Sequence, residues 1–232
     1  TIRFPIRDEA SGEVFAVGLV AIDVTEEREA QCLVSIQRDL GLALATIKDL
    51  RDAFAACLQP ALDVSHADAV GIYYSEPDSG VLRLMTQTGL SDDFVREVAA
   101  YDASDFEYRC IMDGRALYFD ADDETRERLP AVPREGLRAM AAVPIRGDGR
   151  ILGSLHVASR RVDTFGEQAR VGLETIAAQI GNAIARIEVC DAFARSEERY
   201  RTLFEAATDA VLMQDFNADG TPGGIVSAND AA

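Results

Sequence analysis

With 232 residues, 48% of them hydrophobic, the chain can fill one large core or two ordinary ones, which excludes a largely disordered protein. Forty Asp and Glu against 23 Lys and Arg give a formal charge of -17, which repels polyanions and excludes nucleic acid and anionic membranes as expected partners. The longest smooth apolar stretch, residues 15–22, is far shorter than the roughly 20 residues of a membrane-crossing helix. Cys32, Cys57, Cys110 and Cys190 are too scattered for a metal site or a disulfide framework, so free thiols in a reducing cytosol are expected. A first residue other than Met, with no leader-like segment after it, leads us to expect a segment of a longer cytoplasmic protein.

Two short strands are expected at 2–6 and 14–22, joined by the turn-rich run 8–12. Asp23 or Thr25 can cap the helix that follows. Apolar positions then recur three and four apart through Leu33, Ile36, Leu40, Ile47, Leu50 and Phe54, which predicts one long heptad helix over about 26–59. A hairpin follows, with strands at 68–75 and 81–88 around a Pro- and Gly-bearing turn. Ser91 caps a predicted helix through Ala100, a second helical stretch covers 104–112, and a short strand occupies 116–119. The acidic run 120–136 is expected to be a loop with one helical turn. Strands at 137–145 and 151–159, apolar on both faces, form a second hairpin through Arg146-Gly147-Asp148-Gly149-Arg150. From Gly166 a last helix repeats the heptad register through Leu173, Ile176, Ile180 and Ile187.

The stretch LRAMAAVPIRGDGRILGSLHVASRRVDTFGEQARVGLETIAAQIGNAIA carries Val143-Pro144-Ile145, Leu152-Gly153-Ser154-Leu155 and Phe165 before the exit helix. With the preceding order of elements it resembles the GAF domain family over about 40–190. SEERYRTLFEAATDAVLMQD, from Ser196, resembles the entry helix and first strand of a PAS domain, and Asn229 resembles the Asn after its second strand. The N-terminal hairpin running into Asp23-Val24-Thr25 resembles the end of another PAS domain. These resemblances imply an α+β fold: a GAF-like antiparallel sheet with helices on both faces and long N- and C-terminal heptad helices. They divide the chain into a PAS-like end (1–25), a signalling helix (26–62), the GAF-like domain (40–190) and the start of a second PAS-like domain (191–232).

The resemblance implies a sensory and relay segment without catalysis of its own, serving a histidine kinase or cyclic-dinucleotide enzyme as output. It would work as a homodimer through a seam of Leu33, Ile36, Leu40, Ile47, Leu50, Phe54, Leu173, Ile176, Ile180 and Ile187. A GAF pocket would draw on Tyr73, Met85, Phe106, Tyr108, Arg109, Cys110, Tyr118, Met140 and His156, residue types that suit a small planar ligand and equally suit an ordinary core. No cofactor is named by the sequence. Ile111 stands where bilin-binding GAF domains carry His after the attachment Cys, and the Asn-Lys-Phe-Asp-Glu signature of cyclic-nucleotide binders is missing. His156 reads as a core histidine ahead of a haem ligand, and the Arg160/Arg161 and Arg126/Arg128 pairs read as solvated surface. Two alternatives stay open: a dimerisation module with no ligand, and a free methionine sulfoxide reductase-like enzyme using Cys110.

Overall fold

The computed structural model describes residues 2–7, 12, 14–20, 25–75, 79–120, 131–217 and 220–231, with the backbone only at 2, 15, 18, 20 and 25–32. The expected turn at 8–11, the Asp23 cap, most of the acidic loop, Arg126 and Arg128 lie outside the described residues. The strands are β1 (Ile2–Arg7), β2 (Val14–Val20), β3 (Ala69–Ser75), β4 (Val81–Thr88), β5 (Ala100–Asp102), β6 (Leu117–Asp120), β7 (Ala139–Gly147), β8 (Arg150–Ser159), β9 (Leu212–Phe216) and β10 (Pro222–Ala228). The helices are α1 (Thr25–Thr46), α2 (Leu50–Ser65), α3 (Asp92–Glu97), α4 (Phe106–Met112), α5 (Ala131–Arg134) and α6 (Glu167–Glu205).

Six strands form one antiparallel sheet in the order β5-β4-β3-β8-β7-β6, flanked in sequence by the separate hairpins β1-β2 and β10-β9. The alternation of side chains along each strand sorts the sheet into two faces. Val70, Ile72, Ala141, Val143, Leu155 and Val157 pack on the side of α2 and α6; Ala69, Tyr73, Ala142 and Ala158 pack on the other, under α3, α4 and α5. The β7-β8 turn has Asp148 at φ 50° and Gly149 at φ 72°, the double positive φ of a two-residue hairpin turn. The glycine of the Leu-Gly-Ser-Leu run is steric: a Cβ on Gly153 would lie 2.0 Å from the Tyr73 carbonyl oxygen, so only glycine lets β8 lie this close to β3.

Two expectations are corrected. The predicted single helix over 26–59 is two helices broken at 47–49. Asp49 adopts extended backbone and its carboxylate accepts from the Arg51 and Asp52 amides at the start of α2. Arg186 of α6 fastens the break: it donates to Leu44 O at 2.8 Å, which also accepts from the Ile47 amide, and to Ile47 O at 2.6 Å. The heptad spacing is continuous across this break because both helices present apolar positions to the same core. Helix α3 also ends at Glu97, short of Ala100, and the chain turns back there as edge strand β5.

The same burial corrects the expected seam. Leu40, Phe54, Leu173, Ile176, Ile180 and Ile187 are at most 3% exposed within a single chain, and Leu33, Ile36, Ile47 and Leu50 pack against the same cluster. A three-four spacing marks a buried helix face, and here the partner is the protomer's own sheet and helices. Truncating Ile180 to Ala is expected to cost about 2–5 kcal/mol in urea denaturation, whereas Val189→Ala, on an exposed part of α6, should stay within about 0.5 kcal/mol for the isolated chain.

Candidate functional site

The face of the sheet away from α6 carries an aromatic cluster. Tyr73 on β3 and His156 on β8 stand with ring centroids 4.4 Å apart, and Tyr101 of β5 lies 5.2 Å from Tyr73 and stacks on His156 at 5.9 Å. The Tyr73 hydroxyl donates to Val98 O at 2.8 Å, and His156 Nε2 is 2.9 Å from Ser154 Oγ. Between these rings, Leu90, Phe94, Met140 and the bare backbone of Gly71 is a cavity of about 20 Å³, room for about one water molecule. Its lining presents aromatic faces, aliphatic carbon and a neutral imidazole. Burial pushes the His156 pKa down to about 3 and the Tyr101 hydroxyl up to about 12.

Tyr73, Met140 and His156 therefore come together as expected, with Tyr108 packed in the same apolar cluster. The others do not join them. A bulge between Ile72 and Tyr73 pairs Ile72 with Thr86 and Tyr73 with Leu84, which skips Met85 and leaves it exposed. Tyr118 is on the opposite face, because its neighbour Leu117 takes the inward position; its hydroxyl reaches Glu174 of α6 at 3.4 Å, and Arg170 lies over its ring at 4.3 Å. Phe106 and Arg109 sit on the exposed side of α4, with Arg109 donating to the Ala103 and Ser104 carbonyls. Cys110 is buried beneath α4, where Arg115 Nη2 approaches its sulfur at 3.0 Å. Tyr101, Phe94, Leu90 and Ser154 were missed. Tyr101 was hidden by the helix expected through Ala100, and its strand of three residues is too short to show alternation.

A polar latch stands beside the cavity, next to its lining residues Leu90 and Phe94. Glu135, just after α5, accepts from the Ser91 amide at 3.0 Å and hydroxyl at 2.6 Å, and pairs with Arg160 at 2.6 Å. Arg160 also donates to Gly89 O and Glu135 O, while Arg134 grips Glu97 through two bonds. Arg160 thus holds the covering helices to the end of β8, which corrects its expected role as solvated surface. Arg161 pairs with Asp68 at 2.7 Å, and the same carboxylate accepts from Ser159 Oγ and the Arg160 amide. Burial alone would raise the Asp68 and Glu135 carboxyls, but the Arg160 amide and Ser159 around the first and the Ser91 donors around the second hold both below the usual range.

Among the described residues no group of three or more His, Cys, Asp or Glu side chains could hold a metal ion, and no helix is long and apolar enough to cross a membrane. The family model described as GAF domain matches residues 48–185, more than half of the chain. The chain belongs to the GAF domain family. A PAS domain model matches residues 198–232, where Asn229 ties the β9-β10 hairpin together: its amide donates to Ala207 O and Asp209 O, and its oxygen accepts from the Val211 amide.

The GAF fold is shared with three solved structures, among others. A domain assigned to a two-component sensor histidine kinase of Sinorhizobium meliloti is 22% identical, with TM-score 0.54 over 65% of this chain and 99% of that one. The GAF domain of a phosphoenolpyruvate-protein phosphotransferase from Coxiella burnetii is 18% identical, with TM-score 0.59 over 70% and 98%. Free methionine-R-sulfoxide reductase from Neisseria meningitidis is 16% identical, with TM-score 0.57 over 73% and 95%. Among curated proteins none matches the chain.

Two outcomes are expected of the GAF cavity. His156 is held neutral in the folded state with its pKa below the unfolded value of about 6.5, so it contributes stability that is full above that pH and lost as pH falls towards about 3. Between pH 7 and 5 the protein should lose up to about 2 kcal/mol more than a His156→Phe variant, read as the difference between two urea denaturation series. The carboxylates of the latch titrate in both proteins and cancel. Separately, Arg160→Ala should loosen α3 and α5 and hydrate His156, raising its titration midpoint in imidazole NMR by more than one unit. A midpoint that stays put would show that the latch does not seal the cavity.

Proposed function

We propose that this chain is the non-catalytic sensory and relay segment of a cytoplasmic signal-transduction protein. In this reading the GAF domain takes a small uncharged molecule under its latch and passes the change along α6 to the PAS unit. The observation that carries the reading is that α6 is one helix of 39 residues. Residues such as Leu173, Ile180 and Ile184 are the floor of the GAF core, and after Glu188 the same helix leaves that core and runs into the segment matched as PAS. A shift of α6 against the sheet is therefore a shift of its far end. A ligand biases it only by binding two arrangements unequally, and the cavity must open to admit anything larger than water. The output would be a kinase or cyclic-dinucleotide enzyme in the same protein, acting as a homodimer, with no nucleic acid or membrane contact made by this segment.

Fold likeness to a methionine sulfoxide reductase also raises a Cys110-dependent enzyme, and the Arg115 guanidinium beside the Cys110 sulfur is the feature that favours it. Against it, Cys57 is in the opposite, helix-side core, where burial pushes its thiol up to about 12, and Cys190 is on the outgoing half of α6. Native mass spectrometry at micromolar concentration separates the readings. The expected result is a mass of two chains, with added mass when the preparation retains a ligand. Methionine sulfoxide turnover by the wild type, abolished in Cys110→Ser, would replace the sensory reading with the enzymatic one.

A further inference from the structure

A groove of about 320 Å³ lies between α6 and β7 on the helix-covered side of the sheet, away from the aromatic cavity. Strand β6 pairs with β7 only from Ala139 to Ala142, so beyond that point β7 has β8 on one side and, among the described residues, no strand on the other. The groove follows this open edge past Pro144 to Arg146. Proline suits such an edge because it has no amide to leave unpaired. The opposite wall is a row one helical turn apart: Glu174, Ala178 and Asn182. The two ends differ in charge. At one, the Arg146 guanidinium lies on the turn before β6 and donates to Gly114 O. Only glycine leaves it that place, since a Cβ on Gly114 would lie 2.6 Å from Arg146 Nη2. Gly181 packs on the Arg146 carbonyl, which brings Asn182 to the same end. At the other end Glu174 accepts from the Tyr118 hydroxyl at 3.4 Å, while Arg170, one turn earlier, is engaged by the Tyr118 ring and the Phe165 carbonyl. Among the described residues neither Arg146 nor Glu174 has an ion-pair partner, and the Asn182 carboxamide has no hydrogen bond.

We infer that this groove binds a short zwitterionic peptide, a dipeptide of small residues, with its terminal ammonium at Glu174 and its terminal carboxylate between Arg146 and the Asn182 carboxamide. Length, charge and lining select it. Two turns of helix separate Glu174 from Asn182 by about 12 Å. A hydrogen bond of about 2.9 Å at each end leaves about 6 Å for the ligand, and two residues of extended chain span at most about 7 Å. A single amino acid carries both charges on one carbon and reaches one end only. The unpaired guanidinium supplies the charge-assisted donors a carboxylate needs, and a ligand of zero net charge escapes the repulsion that a chain of net charge -17 exerts on a plain anion. Between the ends, Ala178 faces Pro144 across the groove and takes small apolar side chains, while the open edge of β7 lies beside the peptide group. The site is on the other side of the sheet from the aromatic cavity, so it stands or falls independently of the sensory reading.

The test is NMR titration of the chain with dialanine, following the Gly114 backbone amide and the Asn182 side-chain amide, with the Gly71 amide of the aromatic cavity as control. The expected result is saturable shifts at Gly114 and Asn182 in the low millimolar range, with Gly71 unmoved. Capping either end, as N-acetyl-dialanine or as dialanine amide, should weaken binding at least tenfold. Glu174→Gln should weaken dialanine by the same factor and leave the N-acetyl form unchanged; Arg146→Gln should do the same for dialanine and its amide. Both side chains are exposed, and urea denaturation of the two variants checks that the fold is kept. No saturation at tens of millimolar, saturation at Gly71 alone, or capped forms that bind as well as dialanine overturn the site. Equal binding by 6-aminohexanoate, which has both charges and no peptide group, overturns the peptide as its ligand.

Discussion

The passage of α6 across the sheet constrains everything else in this molecule. A Cβ on Gly181 would lie 1.8 Å from the Arg146 carbonyl oxygen, and one on Gly172 would lie 2.0 Å from a Val64 methyl. Helix, strand end and α2 meet at separations that only glycine permits. Around these contacts Leu173, Ile176, Ile180, Ile184 and Ile187 are fully enclosed, so α6 cannot rotate or slide without breaking close packing. Arg186 then fastens the end of α1, and Glu188 accepts from the Tyr74 hydroxyl at 2.6 Å and pairs with Arg150. The half of α6 inside the GAF core is thus held tightly, and the half beyond Glu188 is bare.

The two faces of the sheet divide the physical tasks. The α2/α6 face is aliphatic and is held mainly by removal of apolar surface from water and by dispersion between close-packed side chains. The other face is aromatic and polar, and its cover is three short helices of six, seven and four residues, too short to be stable alone. Phe94, Ile111 and Val132 pack them on the sheet, and charge-assisted bonds centred on Arg160, Glu135 and Arg134 tie α3 and α5 together and to the end of β8. Local opening is therefore expected on this side first, since such contacts are more exposed and less cooperative than the helix-side core. The asymmetry places any adaptable pocket on the face opposite α6, with β3 and β8 between them.

Much of the fold was legible because it rests on local chemistry. Asp148-Gly149, the Ser91 cap and the runs apolar on both faces in β7 and β8 each report a local need that the residues themselves reveal. The pocket was legible by type and only partly by position. Tyr73, Met140 and His156 came from the GAF resemblance and their residue types, whereas one bulge displaced Met85 and one residue of parity sent Tyr118 to the other face. Arg160 was misread because a charged side chain at a strand end looks the same in sequence whether it meets water or Glu135.

The sequence by itself determined that this chain is α+β, which segments are strands and helices apart from the break at 47–49 and strand β5, and that a GAF unit is followed by the start of a PAS unit. The first two follow from periodicity, capping and turn chemistry within a few residues, and the third from the resemblance of whole motifs to those families. Only the tertiary structure decided what the heptads are for. A three-four spacing states that a helix has an apolar face and is silent on whose surface covers it. In α6 the apolar stripe turns inward to its own sheet, because the glycines that admit close approach lie on the side of the isoleucines.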